Sequence, residues 1–180
     1  MNVSKSVAII CALAAVPLFA AGSRDSSDSL TAQWELQGLY DEISQADLQF
    51  NTGSDVDLFH DVICTPDWTF ADASGNRQAW AARRETEIQA FRLPRFDSIY
   101  HRIQKFSLVA DGATVVVSFD TVRRLVDQEG RYGPKGGVHR ISETTVYRDA
   151  WVRAGDTWKM RSREQIGPPV IVVDKRESLY

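Results

Sequence analysis

The strongest constraint on this chain lies between Arg95 and Ile166. Four long segments, at about 96–109, 113–126, 138–153 and 157–166, are rich in β-branched and aromatic residues there. Runs such as Val115-Val116-Val117 and Thr144-Thr145-Val146 favour strands. The breaks between segments are short: Asp111-Gly112, the loop from Gln128 to Gly137, and Ala154-Gly155-Asp156. Strands joined in this way run antiparallel, so this half of the chain must be a meander. Gly167-Pro168-Pro169 ends it. Val170 to Val173 is an optional edge strand within the C-terminal tail, 167–180.

Upstream the period changes. Leu36, Leu39, Ile43, Ala46 and Phe50 recur at helical spacing from Leu30 onward, and Asn51-Thr52-Gly53 stops them. Ser54 is placed to cap a second, shorter helix with Val56, Phe59, Val62 and Ile63 inward and Pro66 closing it. Asp67 to Asp72 alternates like a short strand. After the turn Ala73–Asn76, a third helix is expected to run from Asn76 to about Phe91, with Trp80, Arg84 and Ile88 on one face. Helices first and a meander second make an α+β domain, N-terminal helices packed on a mostly antiparallel sheet, over residues 30–166. A polar lead-in occupies 24–29. The chain's 180 residues suit one such domain and show no internal repeat.

The N-terminus reads differently. Lys5 precedes an apolar run from Val7 to Phe19, and small residues follow at Ala20-Ala21-Gly22-Ser23. Residues 1–23 therefore carry the layout of a secretory signal peptide, which predicts export, secreted or periplasmic, with no stable membrane anchor after cleavage. The apolar run is shorter than the roughly 20 residues of a spanning helix. Cleavage removes Cys11 and leaves Cys64 alone, so no internal disulfide is expected. Cys64, between Ile63 and Thr65, reads as a small buried hydrophobe. The formal charge of −3 is spread without a basic stripe, which argues against a nucleic-acid partner.

No phosphate loop, paired-cysteine zinc motif or nucleophile elbow occurs. His60, His101 and His139 lack metal-ligand spacing, so neither a metal nor a cofactor is expected. What remains are titratable residues that strands can turn inward. On the third long strand, His139, Ile141, Glu143, Thr145, Tyr147, Asp149 and Trp151 share one face. That face mixes acids and aromatics as a semi-polar pocket does, and it is the face expected to point inward. At about 3.3 Å per residue, His139 and Glu143 stand roughly 13 Å apart, so no acid–base pair arises within the strand. Partners must come from elsewhere: His101, Arg123, Ser162 or Glu164 on other strands, or Tyr40 and Asp47 on one face of the first helix. Trp34, Trp68, Trp80, Trp151 and Trp158 are most simply core.

The element order, Asp67-Trp68-Thr69-Phe70 followed by Gly75, and above all Asp149-Ala-Trp151-Val-Arg-Ala-Gly155-Asp-Thr-Trp158-Lys-Met160, resemble the nuclear transport factor 2-like superfamily, in particular its SnoaL-like branch. The resemblance spans 30–166. It implies a curved sheet closing with the helices into a cone whose interior holds a small molecule. Isomerases, cyclases, dehydratases and non-catalytic binders all use this fold.

Two readings follow. In the first, an exported protein holds a small, largely apolar ligand and dimerises through its sheet, with Tyr40, Trp68, Arg123, Tyr147 and Trp151 as ligand contacts. In the second, it is an acid–base enzyme in which Asp149 or Glu143 is the base and His101, Tyr147 or Arg123 stabilises an oxyanion. Residues 130–137 could serve as a lid over the cone mouth.

Overall fold

The computed structural model describes residues 26–49, 53–92 and 96–174. The proposed leader, 1–23, lies outside them, as do the Asn51-Thr52 break and the last six residues. Three helices and seven strands follow in order: α1 (Ser26–Gln49), α2 (Gly53–Ile63), β1 (Cys64–Ala71), β2 (Arg77–Ala79), α3 (Trp80–Arg92), β3 (Phe96–Val109), β4 (Gly112–Asp127), β5 (Gly137–Ala154), β6 (Thr157–Gln165) and β7 (Val170–Asp174).

All seven strands join one sheet in the order β2-β1-β6-β5-β4-β3, with β7 on the first half of β5. The meander β3–β6 is antiparallel, and β1 joins β6 in parallel. This is the α+β architecture expected from the sequence, and the sheet curves around the helices. Differences fall at the edges. Ser26–Ser29 are already helical, Pro66 lies inside β1, and the start of the third helix is taken by β2. Val170–Asp174 is a true strand, so the sheet extends into the tail.

Helix α1 fills the hollow of the sheet. Ala32, Leu36, Tyr40 and Ile43 recur at three- and four-residue spacing and pack on Val115, Val117, Trp151, Trp158 and Met160. Its side chains also protect an edge. No described strand lies beyond β3, and Gln37 fills the gap by donating to the His101 carbonyl at 3.0 Å and accepting from Ile103 N–H at 3.1 Å. Ser44 Oγ accepts the His101 N–H at 3.0 Å. These bonds tie α1 to the edge strand and satisfy backbone groups that would otherwise be unpaired.

Two residues expected inside are outside. Trp34 is 76% exposed and Val62 is 56% exposed. Helical periodicity is blind here, since the wheel shows an apolar face but not which stripe the sheet covers. The loop 128–137 is anchored by Asp127, whose carboxylate accepts the N–H groups of Arg131 and Tyr132 at 2.9 and 2.7 Å. It packs over the buried His139 ring, and Gly133 and Gly137 leave the room that ring needs.

At Gly112 a Cβ would stand 1.9 Å from the Trp151 carbonyl oxygen. Gly112→Ala is expected to cost about 3 kcal/mol or more in denaturant unfolding, because the β4–β5 pairing must open to admit it. Gly38, exposed in mid-helix with nothing within 4 Å, should behave oppositely: Gly38→Ala gains about 0.5–1 kcal/mol.

Candidate active site

On β5 the odd positions turn inward, the face expected from its acids and aromatics, with Ile141, Thr145, Asp149 and Trp151 buried. Asp149 has no exposure at all. Its carboxylate takes two hydrogen bonds from the Arg163 guanidinium, Nε at 2.9 Å and Nη2 at 2.7 Å, and a third from Tyr40 Oη at 2.7 Å. Trp151 Nε1 donates in turn to Tyr40 Oη at 2.9 Å. The indole, phenol, carboxylate and guanidinium thus form one closed chain in which each buried polar group has a partner. Burial works against the charge on Arg163, but the Asp149 carboxylate outweighs it and holds the guanidinium firmly protonated. Burial, then the Asp149 charge, drives the Tyr40 hydroxyl well above its usual range, so it stays a neutral donor.

This network underlies a cavity of about 320 Å³ enclosed by α1, α2, α3 and the concave sheet. Asp149, Tyr40 and Trp151 do not line it. Asp149 is therefore not the free base that the sequence suggested, and Tyr40 and Trp151 are a buttress beneath the wall instead of ligand contacts. The group that reaches the cavity is Arg163, which stays 17% exposed and lies 4.7 Å from the centre of the Tyr147 ring.

Arg163 owes its direction to a bulge. Ala150 faces Ser162 while Trp151 faces Met160, so Arg161 is an extra residue on β6. Before the bulge the even residues Trp158 and Met160 point inward; after it the odd residue Arg163 does. Strict alternation turns Ser162 and Glu164 inward, whereas Glu164 pairs outside with Arg148 at 3.2 Å.

The other expected residues divide. His101, Trp68, Arg123, Tyr147 and Glu143 line the cavity. Glu143 and Arg123 face each other at 3.9 Å, each about 30% exposed, a loose pair open to water. No residue of the loop 128–137 reaches the lining, so this loop is not a lid over the cavity. Cys64 does line it, and burial pushes its thiol up to about 12, which keeps it uncharged.

Two titratable groups on the α1–β3 wall line the cavity. The Ser44 hydroxyl gives its single proton to the Tyr40 carbonyl at 2.8 Å, so toward His101 Nδ1, at 2.9 Å, it accepts. The network thus assigns the proton to Nδ1 and leaves Nε2 as a bare lone pair. Nε2 has no hydrogen-bond partner among the described residues, and the ring lines the cavity. Burial, with the Arg163 cation adding to it, holds the imidazole well below its ordinary range, so His101 is neutral.

One helical turn from Ser44, Asp47 faces the same space. Burial raises its carboxyl from 3.8 to about 8, despite the opposing pull of Arg163, so it is mostly protonated at neutral pH. The sequence placed Asp47 on the Tyr40 face only as a helper to a strand acid. Its surroundings set it apart: among the described residues no charged group bonds to Asp47, while Asp149 is bound by one.

Among the described residues no three His, Cys, Asp or Glu side chains converge to hold a metal ion, and no helix is long and apolar enough to cross a membrane.

Comparison with solved structures gives the same architecture. A scytalone dehydratase-like protein from Novosphingobium aromaticivorans matches with a TM-score of 0.54 at 14% identity, over 85% of this chain and 93% of its own. A protein of unknown function from Mycobacterium tuberculosis matches with a TM-score of 0.54 at 16% identity, over 80% and 76%. A nuclear transport factor 2-like protein from Cytophaga hutchinsonii reaches 0.45 at 12% identity, over 79% and 98%. The fold is an α+β cone, with helices packed in the hollow of a curved sheet. At these identities the likeness carries no chemistry with it. No family model matches the sequence, and no curated protein matches it significantly.

The Asp47 carboxyl gives a direct stability test. Unfolded, it releases its proton near 3.8; folded, it keeps it to about 8. The folded state therefore binds the extra proton between these values and loses stability as pH rises through them. Asp47→Asn should match the parent near pH 4 and exceed it at pH 8 by about 2 kcal/mol or more, read by chemical unfolding.

Proposed function

We propose that the protein is an acid–base enzyme of isomerase or dehydratase type acting on a small, largely apolar cyclic molecule. The observation that carries this reading is the bare Nε2 of a neutral, buried His101 in the same cavity as the protonated Asp47. At neutral pH the acid holds its proton and the base has none, the two protonation states that general acid–base catalysis uses. His101 Nε2 takes a proton from a carbon next to a carbonyl. The electron pair moves onto the oxygen, where the Asp47 carboxyl donates a hydrogen bond and the Arg163 cation stabilises the negative charge. Return of the proton to a different carbon gives isomerisation. If a hydroxyl is the leaving group, Asp47 supplies the proton with which it departs as water.

The fold neighbours support this as a reading of chemistry compatible with the cone, since one is named for a dehydratase. Export belongs to the same proposal, on the strength of the leader pattern at residues 1–23. So does dimerisation through the sheet, supported by Val170, Ile171 and Val172, which stand 52–64% exposed on β7.

Deuterium exchange from D₂O into the α-carbon of fused-ring ketones such as 1-tetralone, followed by NMR, tests the reaction. The protein should accelerate it, with activity falling as pH rises through about 8, where Asp47 loses its proton, and persisting well below the ordinary histidine range. His101→Gln and Asp47→Asn should each reduce the rate by about 100-fold or more. Background rates across such ketones, with the same compounds still bound, would identify a non-catalytic binding protein instead.

A further inference from the structure

The wall contributed by α2, β1 and the start of α3 holds polar atoms that the acid–base chemistry leaves unused. His60 stacks on Trp80 with ring centres 4.0 Å apart and planes 10° from parallel. Trp68 meets His60 edge-on at 5.7 Å and Trp80 at 5.9 Å. His60 and Trp68 are 7% and 6% exposed, and all three rings line the cavity. Within this aromatic wall, His60 Nε2 and Trp68 Nε1 have no hydrogen-bond partner among the described residues. Buried polar atoms of a folded protein are nearly always paired, so two unpaired ones on one cavity wall point to what the cavity takes in.

Their chemistry is complementary. The indole Nε1–H is a donor only. His60 Nδ1 lies 3.5 Å from Asp61 Oδ1, a contact that favours the proton on Nδ1 and leaves Nε2 an acceptor. Burial lowers the pKa of His60, which keeps the ring neutral. A carbonyl oxygen could satisfy the indole but would face the imidazole lone pair, as would a carboxylate. An ammonium would satisfy the imidazole and oppose the indole. A hydroxyl accepts from one and donates to the other.

We propose that Trp68 and His60 form a hydroxyl-binding subsite, so that the ligand is a hydroxylated cyclic compound anchored on the α2–β1 wall with its ring against Trp80. The inference rests on the acid–base reading only in naming the substrate class of that same cavity. It sets recognition of the hydroxyl on α2 and β1, on residues distinct from the Asp47–His101 pair on α1 and β3.

Calorimetric titration of the protein with 2-naphthol, 2-methoxynaphthalene and naphthalene tests it. The hydroxyl compound should bind about tenfold or more tightly than either analogue, since each analogue leaves a buried group unpaired. Trp68→Phe keeps a ring and removes the donor; His60→Phe keeps the stack and removes the acceptor. Each should shrink the preference, taken as the ratio of 2-naphthol to naphthalene affinity in the same variant, to about threefold or less. Equal binding of 2-naphthol and naphthalene by the unaltered protein, no binding of 2-naphthol, or a preference that survives both substitutions overturns the proposal. The first two outcomes need no variant and so do not depend on whether a substituted chain folds. Ketone exchange and hydroxyl preference, measured on the same parent protein, separate the two claims. A retained hydroxyl preference without ketone exchange in the parent protein sinks the acid–base reading alone, and exchange without the preference sinks the subsite alone.

Discussion

The paired hydrogen bonds between Arg163 and Asp149 organise both the core and the cavity. Neither charge could sit where it does alone, because an unpaired ion in that interior would be costly in free energy. Together they also commit the Tyr40 hydroxyl and, through it, the Trp151 indole. The result is a rigid polar seam linking α1, β5 and β6. On the cavity side this seam presents a single cation, and that cation lies near Asp47, His101 and Tyr147. An acid spent on the seam is unavailable as a base, so the proton chemistry must fall to groups that the seam does not engage.

Those groups carry a stability cost typical of functional sites. Among the described residues, Asp47 is buried with no basic group bonded to it, and His101 keeps one ring nitrogen unpaired. A chain selected for stability alone would replace both with residues that need no partner. Their neutrality makes burial tolerable: the acid keeps its proton and the imidazole stays without one. The same desolvation fixes their resting states at neutral pH, the carboxyl protonated and the imidazole unprotonated.

Much of the fold was readable in the residues themselves. The four long strands appear within a residue or two of their expected limits, because turn residues and β-branched runs mark them clearly. Alternation grouped the odd residues of β5, their mix of acids and aromatics marked that face as the inward one, and the long unbroken pairing with β4 preserves the grouping. The site was less readable. Asp149, the acid that alternation turned inward, was visible, but its partner was hidden by the bulge at Arg161, which no local residue signals. The difference between a spent acid and a free one depends on a contact from α1 to β5 across 109 residues of chain and on a contact from β6 to β5 across 14. Helix periodicity put Asp47 on the right face and could not show that it stands without a charged partner. Trp34 marks the reverse limit, since a large aromatic on a helix implies burial only where something covers it.

The claim at the centre of this account is that Asp47 and His101, and not Asp149, are the neutral, proton-exchanging groups of the cavity. An NMR titration that follows the aspartate carboxyl carbons and the histidine ring nitrogens tests it without any knowledge of the substrate. It should show one carboxyl titrating at about 8 that disappears in Asp47→Asn, and a His101 ring that stays neutral with its proton on Nδ1 well below the ordinary histidine range. A carboxyl of Asp47 titrating near its ordinary value of 3.8, or a His101 protonated at neutral pH, would contradict the account.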